Sequence, residues 1–250
     1  MKYVIFLIGT LFFFQRSKAD NSPYTYVSIM TDKGECIVRL YNQTPKHRDN
    51  FIKLVKAHYF DSLLFHRVIN GFMIQGGDPD SRQAKAGQLL GDGGPAYTVD
   101  AEFNDSLFHK KGVLAAARDD NPAKASSASQ FYLVQGKVLT DAKLDSIQTL
   151  RMKGRKIPAW QREVYKTKGG TPYLDQNYTV FGEVVKGLPL VDSIAAVPTD
   201  SNDRPLTDVR MNLTILNKKE TKALERELAG LPAEKPNFFD KVKQYLKGDR

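Results

Sequence analysis

Residues 65–78 read FHRVINGFMIQGGD, and four side chains in that run have chemical reach: Arg67, Phe72, Met73 and Gln75. Arginine supplies a fork of donors on a cation that stays protonated at any ordinary pH. Glutamine supplies an amide that both donates and accepts. Phenylalanine and methionine supply soft apolar surface. These types can bind, orient and stabilise charge, but none is a nucleophile. The run also reads as ordinary strand core with a few polar residues turned to solvent, and these residues alone leave both readings open.

The rest of the chain narrows the choice by what it lacks. Its histidines are His47, His58, His66 and His109, with no HExxH pair and no paired-ligand spacing, so metal catalysis has no foothold. There is no GxSxG elbow. The stretch GQLLGDGGP lacks the Gly-Lys-Ser/Thr ending of a phosphate-binding loop and reads as surface loop. Cys36 is the single cysteine, which rules out an intramolecular disulfide, and its place in ECIVRLY suits a small buried hydrophobe. Hydrolysis, phosphoryl transfer and redox chemistry have no visible machinery, and no cofactor or metal is expected.

With 250 residues, 41% of them hydrophobic, the chain can bury the core of one main domain with appendages. The net charge is +9, but lysines and arginines are spread thinly, which predicts a solvated basic surface and no nucleic-acid stripe. Residues 1–19 read as an export signal: Lys2, an apolar run over 3–14, and the small-x-small pattern Ser17-Lys18-Ala19. The run is shorter than the roughly 20 residues a membrane span needs, so membrane attachment is expected only if this segment stays uncleaved. An exported protein, periplasmic or secreted, is the resulting expectation.

Downstream, two β-rich runs flank Asp32-Lys33-Gly34 as a hairpin. Thr44-Pro45 opens a helix with Thr44 as N-cap, and Phe51, Leu54, Val55 and His58 form its apolar face. The opening run becomes two short strands around Asn70-Gly71, with Asp78 capping the Gly76-Gly77 turn. Residues 79–96 are loop, GVLAAAR (112–118) and QFYLVQ (130–135) are strands, and residues 137–172 form a helical insert with starts at Thr140 and Pro158. TVFGEVV, GLPLVDSIAAV and TDVRMNLTILN read as strand, helix and strand. Residues 218–250 form a charged helical tail, in which Phe238, Phe239, Val242, Tyr245 and Leu246 share one face that is expected to dock on the domain. Many short strands with few helices suggest a closed or nearly closed antiparallel barrel.

FHRVINGFMIQGGD resembles the signature of the cyclophilins, the peptidyl-prolyl isomerases, and GVLAAAR…SSASQFYLV and LDQNYTVFGEVVKGL follow in that family's order. The resemblance covers residues 24–217 apart from the insert. It implies a mainly β fold, a closed eight-stranded antiparallel barrel capped by two helices, with its site on the outer face. It implies Arg67 as the catalytic arginine, with Gln75 beside it. Phe72, Met73, Tyr132 and Leu174 would form the proline pocket, and Ala117, Arg118, Gln130 and Tyr178 would contact substrate. The implied partners are proline-containing peptides and unfolded proteins, met by a monomer.

Those residue types suit the reaction. Rotation about a peptide bond costs roughly 18–20 kcal/mol because resonance stiffens the C–N bond. The two X-Pro isomers differ by only about 0.5–1 kcal/mol yet exchange over tens to hundreds of seconds. A catalyst therefore needs a grip on the proline and a donor for the prolyl nitrogen as it loses conjugation. Arg67 offers that donor, and Gln75 and Gln130 are suited either to orienting the guanidinium or to holding peptide backbone. A proline-motif binding module using the same groove is the competing reading, and the presence of Arg67 favours catalysis.

Three departures stand out. Arg118 stands where eukaryotic cyclophilins usually carry asparagine, Tyr178 where a histidine is frequent, and Tyr173 where well-known members carry a tryptophan that contributes to cyclosporin binding. The insert enters between two site-bearing strands and is expected near the pocket rim, as a shaper of client choice or as surface decoration. Weak inhibition by cyclosporin follows from Tyr173; titrating the drug against the purified protein checks this, and nanomolar inhibition would contradict it.

Overall fold

Side chains alternate across a strand with period two, so every strand with one face in a core turns its other face outward. The computed structural model describes residues 22–233; the leader and the aromatic part of the tail, including Phe238 and Tyr245, lie outside the described residues. Strands β1 (Tyr26–Thr31) and β2 (Gly34–Leu40) form the first hairpin. Helix α1 follows as Pro45–Lys56. Next come β3 (Leu63–Leu64), β4 (Arg67–Ile69) and β5 (Met73–Gly76). Then come β6 (Thr98–Val99), β7 (Val113–Ala116), β8 (Ser126–Ser127) and β9 (Phe131–Val134). The insert supplies α2 (Asp141–Arg151) and α3 (Ala159–Thr167). The chain continues through β10 (Val180–Lys186), α4 (Pro189–Ala195), β11 (Arg210–Ile215) and α5 (Lys218–Leu228).

The expected closed eight-stranded barrel is not what forms. Nine strands make one antiparallel sheet in the order β3-β11-β1-β2-β10-β7-β9-β5-β4, and its end strands β3 and β4 share no ladder. Those opposite edges are joined in the chain by only Phe65 and His66, so the sheet has to curl, and it forms a half-barrel. The groups that would close it are used by the loop before β11. Val68 N–H donates to Asp203 C=O at 2.8 Å, and Phe65 N–H donates to Val209 C=O at 2.9 Å. β6 and β8 pair separately as a small two-stranded sheet.

The concave side holds the main core. Val68, Ile74, Leu114, Phe131 and Leu133 from the strands meet Phe51, Leu54 and Val55 of α1 and Leu190, Val191 and Ile194 of α4. Each such side chain contributes roughly 1.5–3 kcal/mol by leaving water. His58 does not belong to this face: α1 ends at Lys56, and His58 takes a left-handed φ of 55° with an exposed ring. Thr44 occupies the N-cap position, but its side chain makes no cap bond. The carboxylate of Glu102 caps instead, accepting from the N–H groups of Lys46 and His47 at 3.0 Å each.

The insert has its own small core, in which Leu144, Ile147, Met152 and Ile157 surround Tyr165 and Phe108. A buried polar chain ties it to the sheet. Tyr165 O–H donates to Asp175 at 2.7 Å, the same carboxylate accepts from His109 N–H at 2.7 Å, and it meets His109 Nδ1 at 2.9 Å. His109 Nε2 then meets the Tyr132 hydroxyl at 2.9 Å. With Nδ1–H given to Asp175, Nε2 is left to accept the Tyr132 proton. Each donor orphaned by losing Asp175 would cost roughly 1–3 kcal/mol, so this carboxylate anchors insert and sheet together. At the other end α5 begins with a capping box, Asn217 with Glu220, and buries Leu224 against Tyr26 and Ile37.

Candidate active site

Strand register assembles the site. Arg67 on β4 lies opposite Gln75 on β5, and Gln75 lies opposite Tyr132 on β9. Met73 shares their face two residues away, while Val68, Ile74, Phe131 and Leu133 point into the main core. Met73, Tyr132, Ala117 and Leu174 therefore belong to a second cluster on the convex side, with Phe72 and Tyr178 packed against it. An open cleft of about 280 Å³ lies over this cluster. Its lining includes Arg67, Phe72, Met73, Gln75, Ala117, Arg118, Tyr132, Leu174 and Tyr178 from the sequence reading, together with His66 and Leu90, Gly91 and Asp92.

Local chemistry explains the motif. Phe72 N–H donates to Ile69 C=O at 3.0 Å across a turn in which Gly71 has φ 76°, a conformation that costs glycine little. Phe72 thus sits in the connection, not on a strand, and leans over the cleft's edge. At Gly77, φ is 99° and a Cβ would come within 2.1 Å of Ser129 O, so only glycine lets this backbone approach the segment that leads into β9. Asp78 does not cap the Gly76-Gly77 turn. Its carboxylate instead accepts from Asp80 N–H at 2.8 Å, capping the one-turn helix Pro79–Gln83, and from Gly91 N–H.

Arg67 is half-exposed, and its Nε lies 3.6 Å from Asp203 Oδ2, beyond hydrogen-bond length. Among the described residues its terminal nitrogens make no hydrogen bond, so they remain available to the cleft. Gln130 does not line the cleft. It stands behind Gln75, accepting from Gln75 Nε2 at 3.0 Å and donating its own amide to the carbonyls of Gly91 and Gly93. Both amide hydrogens are spent, so this glutamine positions Gln75 and the glycine-rich loop. Arg118 is similarly occupied: its guanidinium donates to Asn177 and Asp119 carbonyls and lies 4.9 Å over the Tyr178 ring. Tyr178 meets Tyr132 edge-on at 6.0 Å. Burial drives the Tyr132 hydroxyl well above its ordinary pKa, keeping it a donor.

Sequence reasoning missed Asp203, whose loop carries no motif, and the cleft-lining Leu90, Gly91 and Asp92. His66 is 3% exposed, and neither ring nitrogen has a partner. Burial pushes its pKa down to about 4, with Arg67 and Arg204 adding to the effect and Asp78 opposing it. Cys36 is packed in the main core, and burial pushes its thiol up to about 12. Among the described residues no group of three or more His, Cys, Asp or Glu could hold a metal ion, and no helix is long and apolar enough to cross a membrane.

Residues 26–215 match the family described as cyclophilin type peptidyl-prolyl cis-trans isomerase/CLD, and the chain belongs to that family. A Staphylococcus aureus protein provisionally named as a peptidyl-prolyl cis-trans isomerase is 34% identical over 187 residues, 73% of this chain and 87% of that protein. A Streptococcus pyogenes protein provisionally named as a bifunctional phosphatase/peptidyl-prolyl cis-trans isomerase is 34% identical over 78% of this chain, which spans only 39% of that longer relative. The fold is shared with a crystal structure of a Cryptosporidium parvum cyclophilin type isomerase, at a TM-score of 0.59 and 22% identity over 78% of this chain and 99% of that one.

His66 gives the site a pH signature. In an unfolded chain it titrates near 6.5, and in the folded protein near 4. Between those values the unfolded state binds more protons, so stability rises with pH through the window and is fully present above it. Lowering the pH from about 6.5 to about 4 is expected to remove about 3 kcal/mol through this group. Urea unfolding of the wild type and His66→Phe at several pH values reads this out: the variant should show the shallower dependence, and identical slopes would refute the assignment.

Proposed function

We propose that this protein accelerates cis-trans rotation of X-Pro bonds by stabilising the twisted amide with the Arg67 guanidinium while the pyrrolidine ring sits among Phe72, Met73, Tyr132 and Leu174. The observation that carries this reading is the register that sets Arg67 beside an apolar notch on the convex face, with its terminal nitrogens uncommitted. As the prolyl nitrogen loses conjugation it gains basicity, and a donor there is bonded more strongly in the twisted state than in either planar state. Only such differential stabilisation accelerates a reaction. Gln75, held by Gln130, is placed to orient the guanidinium or to take a backbone group of the client. No bond is made or broken, so the notch works with groups that remain in one protonation state near neutral pH.

The clients in this reading are unfolded or proline-exposing exported polypeptides, because residues 1–19 have the charge, apolar run and small-x-small ending of a secretory leader. N-terminal sequencing of the mature chain should begin at Asp20; a chain retaining Met1 would argue against cleavage. Catalysis is tested by exchange spectroscopy on a short Ala-Pro peptide. Arg67→Ala is expected to lose roughly 10²-fold or more in rate, the range for removing one preorganised donor. Equal exchange rates with wild type and variant would favour a binding module.

A further inference from the structure

The segment that brings Leu174 and Tyr178 to the proline notch has a second side. Tyr173, Asp175, Gln176 and Asn177 line a neighbouring cleft of about 470 Å³, whose opposite wall is the C-terminal end of α2 and the loop after it. Arg118 lines both spaces, so the two lie side by side across this one side chain. The second cleft carries five cations, Arg118, Lys124, Arg151, Lys153 and Arg155, against two carboxylates. Of these carboxylates, Asp175 is 2% exposed, bonded to His109 and Tyr165 and 3.6 Å from Arg155, and the exposed Asp120 lies 3.6 Å from Arg118.

The cations differ in how far they are committed. Lys124 donates to Gln176 C=O at 3.0 Å and Asn177 Oδ1 at 2.8 Å, and Arg155 donates to Pro172 C=O at 3.0 Å. Arg151 lies 3.6 Å over the Tyr173 ring, which in turn stacks on Phe72 at 6.1 Å. Neither Arg151 nor Lys153 has a carboxylate partner among the described residues. The insert thus delivers two charges without carboxylate partners to a cleft next to the proline notch.

We infer that this cleft is a client subsite for side-chain carboxylates, and that the enzyme selects X-Pro bonds flanked by acidic residues. The inference rests on the isomerase reading above and adds the substrate class. An extended chain advances about 3.3 Å per residue. Acidic residues about two to four places from a notch-bound proline are therefore the ones that reach across Arg118. Exposed ion pairs are individually weak and screened by salt, so two acting together give a preference of about three- to tenfold at low ionic strength.

The test uses the full chain and three peptides centred on one Ala-Pro bond: neutral flanks, acidic residues two to four places before the proline, and the same residues after it. Exchange spectroscopy gives kcat/KM for each, and the acidic-to-neutral ratio is the readout. One acidic peptide should be favoured about three- to tenfold, the ratio should shrink in high salt, and it should fall to about one in Arg151→Gln/Lys153→Gln. A ratio near one for both acidic peptides in the wild type overturns the subsite, as does a ratio that survives in the double variant. Failure to accelerate even the neutral peptide would overturn the isomerase reading, and this inference with it.

Discussion

Strand pairing sets Arg67 opposite Gln75 and Gln75 opposite Tyr132, and the site depends on that register. A slip of one residue would turn each side chain of the moved strand to the other face, sending Met73 and Gln75 into the core and Ile74 out to water. The register is held from both sides. Ile74, Leu133 and Phe131 are fully buried beneath it, and Gly77 lets the backbone lie against Ser129 where any Cβ would collide. One face is fixed by hydrophobic burial, and the other inherits its geometry.

The convex face then poses its own problem, because Met73, Tyr132, Ala117 and Leu174 are apolar and lie outside the main core. Part of that surface is covered by the 173–178 segment and part remains as the notch. The covering segment is itself anchored through Asp175, whose carboxylate joins His109 to Tyr165 of the insert. The buried Tyr132 hydroxyl is satisfied by His109. The insert is therefore wired to the pocket wall by a buried polar chain and to its edge by the Arg151-Tyr173-Phe72 stack.

Near the site, burial and charge act together on His66. It sits next to Arg67 in the chain, has no partner for either ring nitrogen, and stays neutral across physiological pH because burial disfavours its cation. A second positive charge there would stand next to the Arg67 guanidinium, and a neutral imidazole avoids that repulsion.

Most strands and the helical nature of the insert were legible in the sequence, because alternation and turn residues are local signals, whereas the nine expected residues that line the cleft came from the resemblance of several segments to one family. Residues whose role depends on distant partners were not. Thr44 looked like a cap until Glu102 arrived from 58 positions on to take the helix's first N–H groups, and the bonds that the Gln130 amide gives to Gly91 and Gly93 carry no local signal. Sheet closure belonged to the same class: whether β3 and β4 pair depends on Asp203 and Val209 reaching the gap first. Sequence alone determined which side chains alternate and what chemistry their types permit, because both are properties of neighbouring residues. Tertiary structure decided which polar groups were already satisfied, and so which were left free to act, because hydrogen-bond partners are chosen by proximity in space.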